Sequence, residues 1–244
     1  PPTNPPPTTE NYTYTESSAA SDVYKRQVYG PYEYKGAILN EESFAPGYSE
    51  PTWPHGFLQG RHGSFFEWHN QWYFAYCDIS QTGNRYFRDT FISYVHYRDN
   101  GDIAPIHVDG IGVGEYDANN GKIEAEDYFT ANNAFKRDSP DGGFLVSIES
   151  GTNYIGFHNV SGLKNKQTIT VRASATGSRD SAIEIRKGSS IGPIVTKLSV
   201  RTDHPDVPRD FTGELSKLDE KEDLYFVVNP LSGQGVNLDY FLIN

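Results

Sequence analysis

Residues 143–187 read GFLVSIESGTNYIGFHNVSGLKNKQTITVRASATGSRDSAIEIRK. Four short apolar runs stand out: GFLVSIES (143–150), NYIGFHNV (153–160), QTITVRAS (167–174) and SAIEIRK (181–187). Each is rich in β-branched and aromatic residues, and Gly, Ser, Asn and Asp fill the gaps. Runs of about 4–8 residues with such punctuation are strand signals. A helix would place apolar residues three and four apart over a longer span. DLYFVV (223–228) and VNLDYFLI (236–243) continue the series. Regularly spaced short strands predict an all-β sandwich or jelly roll. The stretch 121–244 is long enough to hold its own core.

Upstream, IHVDGIGVGEYDANNG (106–121) is rich in glycine, and 107–120 reads as a linker. Before it, SFFEWHNQWYFAYCDI (64–79) is a hairpin pattern, two aromatic runs about a polar turn at His69, Asn70 and Gln71. DTFISYVHY (89–97) is a third strand, closed by the turn RDNGD. Three antiparallel strands of this kind suit a propeller blade or a sandwich. Residues 1–27 are dominated by Pro, Thr and Ser and cannot bury enough surface to offset their ordering entropy. Their end, SSAASDVYKRQ, looks like a translated sequencing adapter, so native sequence is expected from Val28.

The 244 residues carry a net charge of −11. Neutralising phosphates takes a basic footprint, so nucleic acid is not an expected partner, and neither is an anionic membrane. No apolar run approaches the roughly 18 residues of a membrane span. The lone cysteine, Cys77, cannot form an internal disulfide and suits a small buried hydrophobe. Methionine is absent, so the start of the parent protein is expected to lie elsewhere.

The second half opens on IEAEDYF (123–129), continues through GFLVSIESGTNYIGFHNV and closes on NLDYFLI (237–243). Over nearly all of 121–244 it resembles carbohydrate-binding module family 6. The first half, in GPYEYKG (30–36), GRHGSFFEWHNQWYFAYCD (60–78) and RYFRDTFISYVHYRDNGDIAPI (85–106), resembles the end of a glycoside hydrolase family 43 catalytic domain. The resemblance implies the last blade or so of a five-bladed propeller over 28–106, followed by a β-sandwich jelly roll. It also implies inverting hydrolysis of xylosides or arabinosides by the parent enzyme. That chemistry uses two carboxyl groups roughly 6.5 to 9.5 Å apart. In the family the acid, the base and a further tuning aspartate lie upstream of the matched part, so no catalytic residue is assigned here.

The acids of KIEAEDYF (122–129) raise a separate question. On a strand, Glu124 and Glu126 would leave the same face. Such a pair suits a solvated face or a cation. The family resemblance implies a structural calcium held by Glu124, Glu126 and Asp239, and calcium takes 6 to 8 oxygen ligands. It also implies that Asn237 hydrogen-bonds sugar. The usual aromatic partners are missing: Ser147 stands where the family often has tyrosine, and RTDHPDVPRDF (201–211) has no tryptophan. Phe144 could substitute, or belong to the core. His62 matches a histidine near the propeller's centre, or is structural; Arg88 matches a pocket arginine, or makes a surface ion pair.

These readings lead to one expectation. The chain is the C-terminal part of a secreted modular glycosidase acting on plant cell-wall polysaccharide, monomeric, without glycosidase activity of its own. The alternative is a stand-alone carbohydrate-binding or structural docking module. Sugar affinity is expected to be millimolar or weaker.

Overall fold

The computed structural model describes residues 34–40, 43–45, 62–78, 86–177, 179–201, 207–228 and 234–244. The expectations for 1–27, and for the loop around His204, fall outside these residues. Every regular element described is a β-strand, apart from short 3-10 turns.

The first unit is a three-stranded antiparallel sheet, β1 (Gly63–Trp68), β2 (Gln71–Asp78) and β3 (Asp89–Val95), in that order. His69 and Asn70 both take positive φ, 52° and 62°. This is the two-residue primed turn whose twist matches that of the flanking strands. Gln71 is therefore not part of the turn: it opens β2 opposite Trp68 and is fully buried. At Gly63 a Cβ would stand 2.4 Å from the Phe74 ring, so only glycine fits that crossing. Phe74, Tyr76 and Val95 pack with Ile38, Leu39, Ile106 and Val108 into a small core.

The second unit is a sandwich. One sheet has the order β11 (Ile194–Val200), β10 (Ser181–Lys187), β13 (Lys221–Val228), β8 (Tyr154–Ser161), β5 (Thr130–Asn132). The other runs β12 (Arg209–Glu214), β9 (Thr168–Ala175), β14 (Val236–Ile243), β7 (Phe144–Ile148), β6 (Ala134–Asp138), with β4 (Ile123–Glu124) also on β14. All pairings are antiparallel. The inward residues interleave between the sheets, with Ile155, Phe157, Val171, Ile185, Phe226 and Phe241 fully buried. Phe157 meets Tyr116, Phe226 and Phe241 edge-on at 5.1, 5.7 and 4.9 Å between centroids.

Two expectations are corrected here. The segment 107–120 is no free linker. Val108, Tyr116 and Ala118 are buried, the Ala118 N–H donates to the Ser161 carbonyl, and the Ser161 N–H to the Tyr116 carbonyl. Its glycines serve tight turns, Gly112 and Gly114 at positive φ, rather than slack. Nor do Glu124 and Glu126 alternate along one strand. β4 ends at Glu124, and Ala125–Asp127 turns into a 3-10 helix. The change of backbone buries Glu126 and leaves Glu124 half-exposed.

Candidate functional site

The β1–β2 turn enters the sandwich beside β5. The Asn70 side-chain amide donates to the Ala131 carbonyl at 3.1 Å, and the Tyr128 hydroxyl returns a bond to the Asn70 carbonyl at 2.7 Å. The Gln71 amide donates to the carbonyls of Glu126 (2.8 Å) and Tyr128 (3.1 Å). Trp68 meets Phe129 edge-on at 5.0 Å. The short strand β5 ends its sheet, and an uncovered edge invites wrong pairing. The blade thus covers an end of the sandwich.

A polar chain crosses the junction beside this turn. Lys136, on β6, donates to Gln71 Oε1 and, at 2.8 Å, to His96 Nδ1. The Asp127 carboxylate can only accept, so the His96 proton sits on Nε2 and points to Asp127 Oδ1 at 3.1 Å. Burial, then the Lys136 charge, hold His96 below its ordinary value. Burial also pushes Lys136 down to about 7. A second relay runs from Gly114 N–H to the Tyr94 hydroxyl (2.8 Å), on to the Tyr116 hydroxyl (3.0 Å) and to the Asp127 carbonyl (2.6 Å). Desolvation raises both phenols, so they remain neutral donors. Between blade and sandwich lies a cleft of about 490 Å³, lined among others by His96, His107, Glu124, Glu126, Asp127 and Phe144.

Phe144 is spoken for. It is buried, its ring 5.1 Å from that of His96, with the Arg98 guanidinium 5.6 Å over it. It packs at the junction, on the wall of the cleft, where the core alternative for this residue had placed it among buried side chains. Asn237 lies on β14 opposite Ser147 of β7 and Ser174 of β9 and is only 3% exposed. Ser147 donates to its Oδ1, and its Nδ2 donates to Ser174 Oγ at 3.4 Å. His62 and Arg88 are both exposed. The His62 carbonyl accepts from the Cys77 N–H, and Arg88 precedes the Asp78–Asp89 pair, so both stand at one end of the blade. That end is opposite the docking turn, so the blade candidates do not join Asn237 in one site.

Among the described residues no group of three or more His, Cys, Asp or Glu side chains stands arranged to hold a metal. The expected carboxylates nonetheless share an environment. Glu124 takes the Lys122 ammonium at 2.6 Å and Asp239 the Arg172 guanidinium at 3.2 Å. Lys122 is held up by its bond to Glu124, and further by the charges of Asp239 and Glu126. Burial, then the Glu124 charge, raise Asp239. Burial, with Asp127 and Glu124 nearby, pushes Glu126 up to about 9, and its buried Oε2 has no hydrogen-bond partner. One buried orphan oxygen and mutual repulsion among acids fit a cation. In this structure the exposed Lys122 supplies positive charge to all three, bonded to Glu124 and interacting with Asp239 and Glu126.

The fold and the junction define an all-β protein in which a propeller-type blade carries a docked β-sandwich. Solved structures include this arrangement. A glycoside hydrolase family 43 arabinoxylan arabinofuranohydrolase from Bacillus subtilis, solved with cellotetraose, aligns over 89% of this chain and 46% of its own, at 20% identity and a TM-score of 0.50. That likeness runs through both units and shows the fold; this chain spans just under half of that protein. A family 6 carbohydrate-binding module from Clostridium cellulolyticum, solved with xylose, is 28% identical over 50% of this chain and 95% of its own, with a TM-score of 0.46. A family 36 module solved with calcium and xylotriose is 16% identical over 50% of this chain and 98% of its own, with a TM-score of 0.42. No family model and no curated protein matches the chain.

Residues that hold the junction were not assigned from the sequence. Gln71 was read as a turn residue, and Lys136 lies on a strand that was not anticipated. His96 carried a usable signal: it follows β3 two residues after Tyr94 in the run DTFISYVHY, its ring stacked 6.0 Å from that of Tyr94, and a polar residue closing an apolar run asks for a partner.

Proposed function

We propose that this chain serves a secreted modular glycoside hydrolase acting on xylan- or arabinoxylan-type polysaccharide, the sandwich being its carbohydrate-binding part. The observation that carries the reading is the built junction. The sandwich is fixed on a propeller-type blade by side chains from both, as an enzyme's accessory domain would be, rather than strung from it. Asn237 supplies the sugar-facing amide, and His62 and Arg88 belong to the substrate end of the propeller.

A specific observation favours a second reading, a docking module with little sugar affinity: Ser147 and Ser174 occupy the Asn237 amide. Ser147→Tyr tests both readings. It frees the Asn237 oxygen and adds a ring. Base stacking on an aromatic ring is worth about 1–3 kcal/mol, borrowed here for a pyranose face. Titration calorimetry against xylo- and arabinoxylo-oligosaccharides should show binding weaker than about millimolar in the parent chain and roughly 10- to 100-fold tighter in the variant. Asn237→Ala in that background should abolish the gain. If neither the parent chain nor Ser147→Tyr retains any oligosaccharide, the docking reading stands instead.

Calcium fits the same proposal, with Glu124, Glu126 and Asp239 as oxygen donors once the Lys122 and Arg172 side chains move aside. A ligand that binds only the folded state adds about 2.7 kcal/mol at a hundredfold excess over Kd. Chelator should therefore lower the melting temperature, and Asp239→Asn should remove most of the calcium response. Identical melting curves with calcium and with chelator would end this part of the proposal.

A further inference from the structure

His96 belongs to the blade, but both of its ring nitrogens are engaged by the sandwich, Nδ1 by Lys136 and Nε2 by Asp127. Lys136 in turn reaches back to the blade at Gln71, whose amide holds the Glu126 and Tyr128 carbonyls. The chain of bonds alternates between the units and passes through one lone pair, that of His96 Nδ1. Only the neutral imidazole has it. Protonation would put an N–H against an ammonium now 2.8 Å away, losing a hydrogen bond and gaining a like-charge contact. The Asp127 bond survives that change; the Lys136 bond does not.

We propose that His96 is a proton-operated latch: neutral, it fastens the sandwich to the blade through Lys136 and Asp127, and protonated, it releases Lys136 and loosens the docking.

The charged and titratable groups around the latch are few. From the sandwich come Lys136, Asp127 and Glu126, with Tyr128 beneath the Lys136 ammonium at 5.3 Å. From the blade come Tyr73, Tyr94 and Arg98, the last paired with Asp138 at 3.2 Å. His107 adds repulsion from the joining segment, itself held up by Asp109. His96 lies below its ordinary 6.5, so its contribution is complete above that pH and is lost as pH falls through the lowered value. Lys136 acts in the same sense, at full strength above 10.5 and lost as pH falls through about 7. Glu126, held at about 9, has the opposite sign: its contribution is present at low pH and lost as pH rises. Whole-chain stability mixes the three, so the latch is read by difference.

Hydrogen exchange of the full chain, corrected for intrinsic rates, reads it at the junction. Peptides covering 68–74 and 126–131 report the contact. The ratio of protection in the unmodified chain to that in His96→Gln should fall between about pH 7.5 and 5.5, approaching tenfold per pH unit once below the ordinary imidazole value. His96→Gln keeps an acceptor for Lys136 and a donor for Asp127 but cannot take a proton, so it retains the Lys136 and Glu126 responses and lacks only that of His96. A ratio that stays constant with pH, or that rises as pH falls, overturns the proposal. If His96→Gln lacks a cooperative thermal transition, Lys136→Met decides. With no ammonium to repel, the acid response should shrink, and an undiminished response overturns the latch.

Discussion

Phe157→Ala should destabilise the sandwich by about 3–5 kcal/mol. Phe157 is fully buried and holds Tyr116, Phe226 and Phe241 in edge-on contact. Truncation leaves a cavity bounded by three rings that belong to different elements and cannot all collapse inward. Tyr116 comes from the segment joining the units, so the damage should spread from the core to the junction. Domains of this size have only about 5–15 kcal/mol of net stability. A fall of roughly 10–20 °C in the thermal midpoint is expected, measured by calorimetry on the full chain. A loss below about 1 kcal/mol would show that the three rings do not pack as described.

Gln71→Ala should cost about 2–5 kcal/mol, the second largest effect. The substitution leaves the Glu126 and Tyr128 carbonyls without their donor and Lys136 without one acceptor. Each group is shielded from water, so the desolvation penalty falls due without a replacement bond. Gln71→Glu should be nearly as damaging. A carboxylate still accepts from Lys136 but can only repel two carbonyl oxygens. Denaturant unfolding of both variants measures this, and a Gln71→Glu chain as stable as the original would show that the two carbonyl bonds carry no weight.

The sandwich was largely legible from alternation. SAIEIRK and VNLDYFLI coincide with β10 and β14 residue for residue, because each is a strand-forming run with turn residues on both sides, although bulges at Ile185/Arg186 and Leu238/Tyr240 interrupt the period of two. β6 was not legible because it inverts the rule. Phe135 is 57% exposed while Lys136 turns inward, so hydrophobicity points to the wrong face. The blade accounts for this inversion, and a strand's own pattern does not report what another unit will bring. The same holds for Gln71, whose partners lie 55 to 65 residues away. Between Glu124 and Glu126, two residues of apparent alternation concealed a 3-10 turn. Asn237 was singled out by the family resemblance, but its serine neighbours come from β7 and β9 and only the sheet register brings them to it.

The plug formed by the β1–β2 turn has a consequence for how the chain is made. Synthesis delivers the tip at His69–Gln71 to the ribosome exit well before its receptor. The carbonyls of 126 and 128 and the ammonium of 136 follow 55, 57 and 65 residues later. At about 5–20 residues per second the interval is roughly 3 to 13 s, far longer than a hairpin needs to form. Throughout it the nascent blade shows a polar tip flanked by Trp68 and Trp72, a surface that a chaperone could hold and that the emerging sandwich must then reclaim.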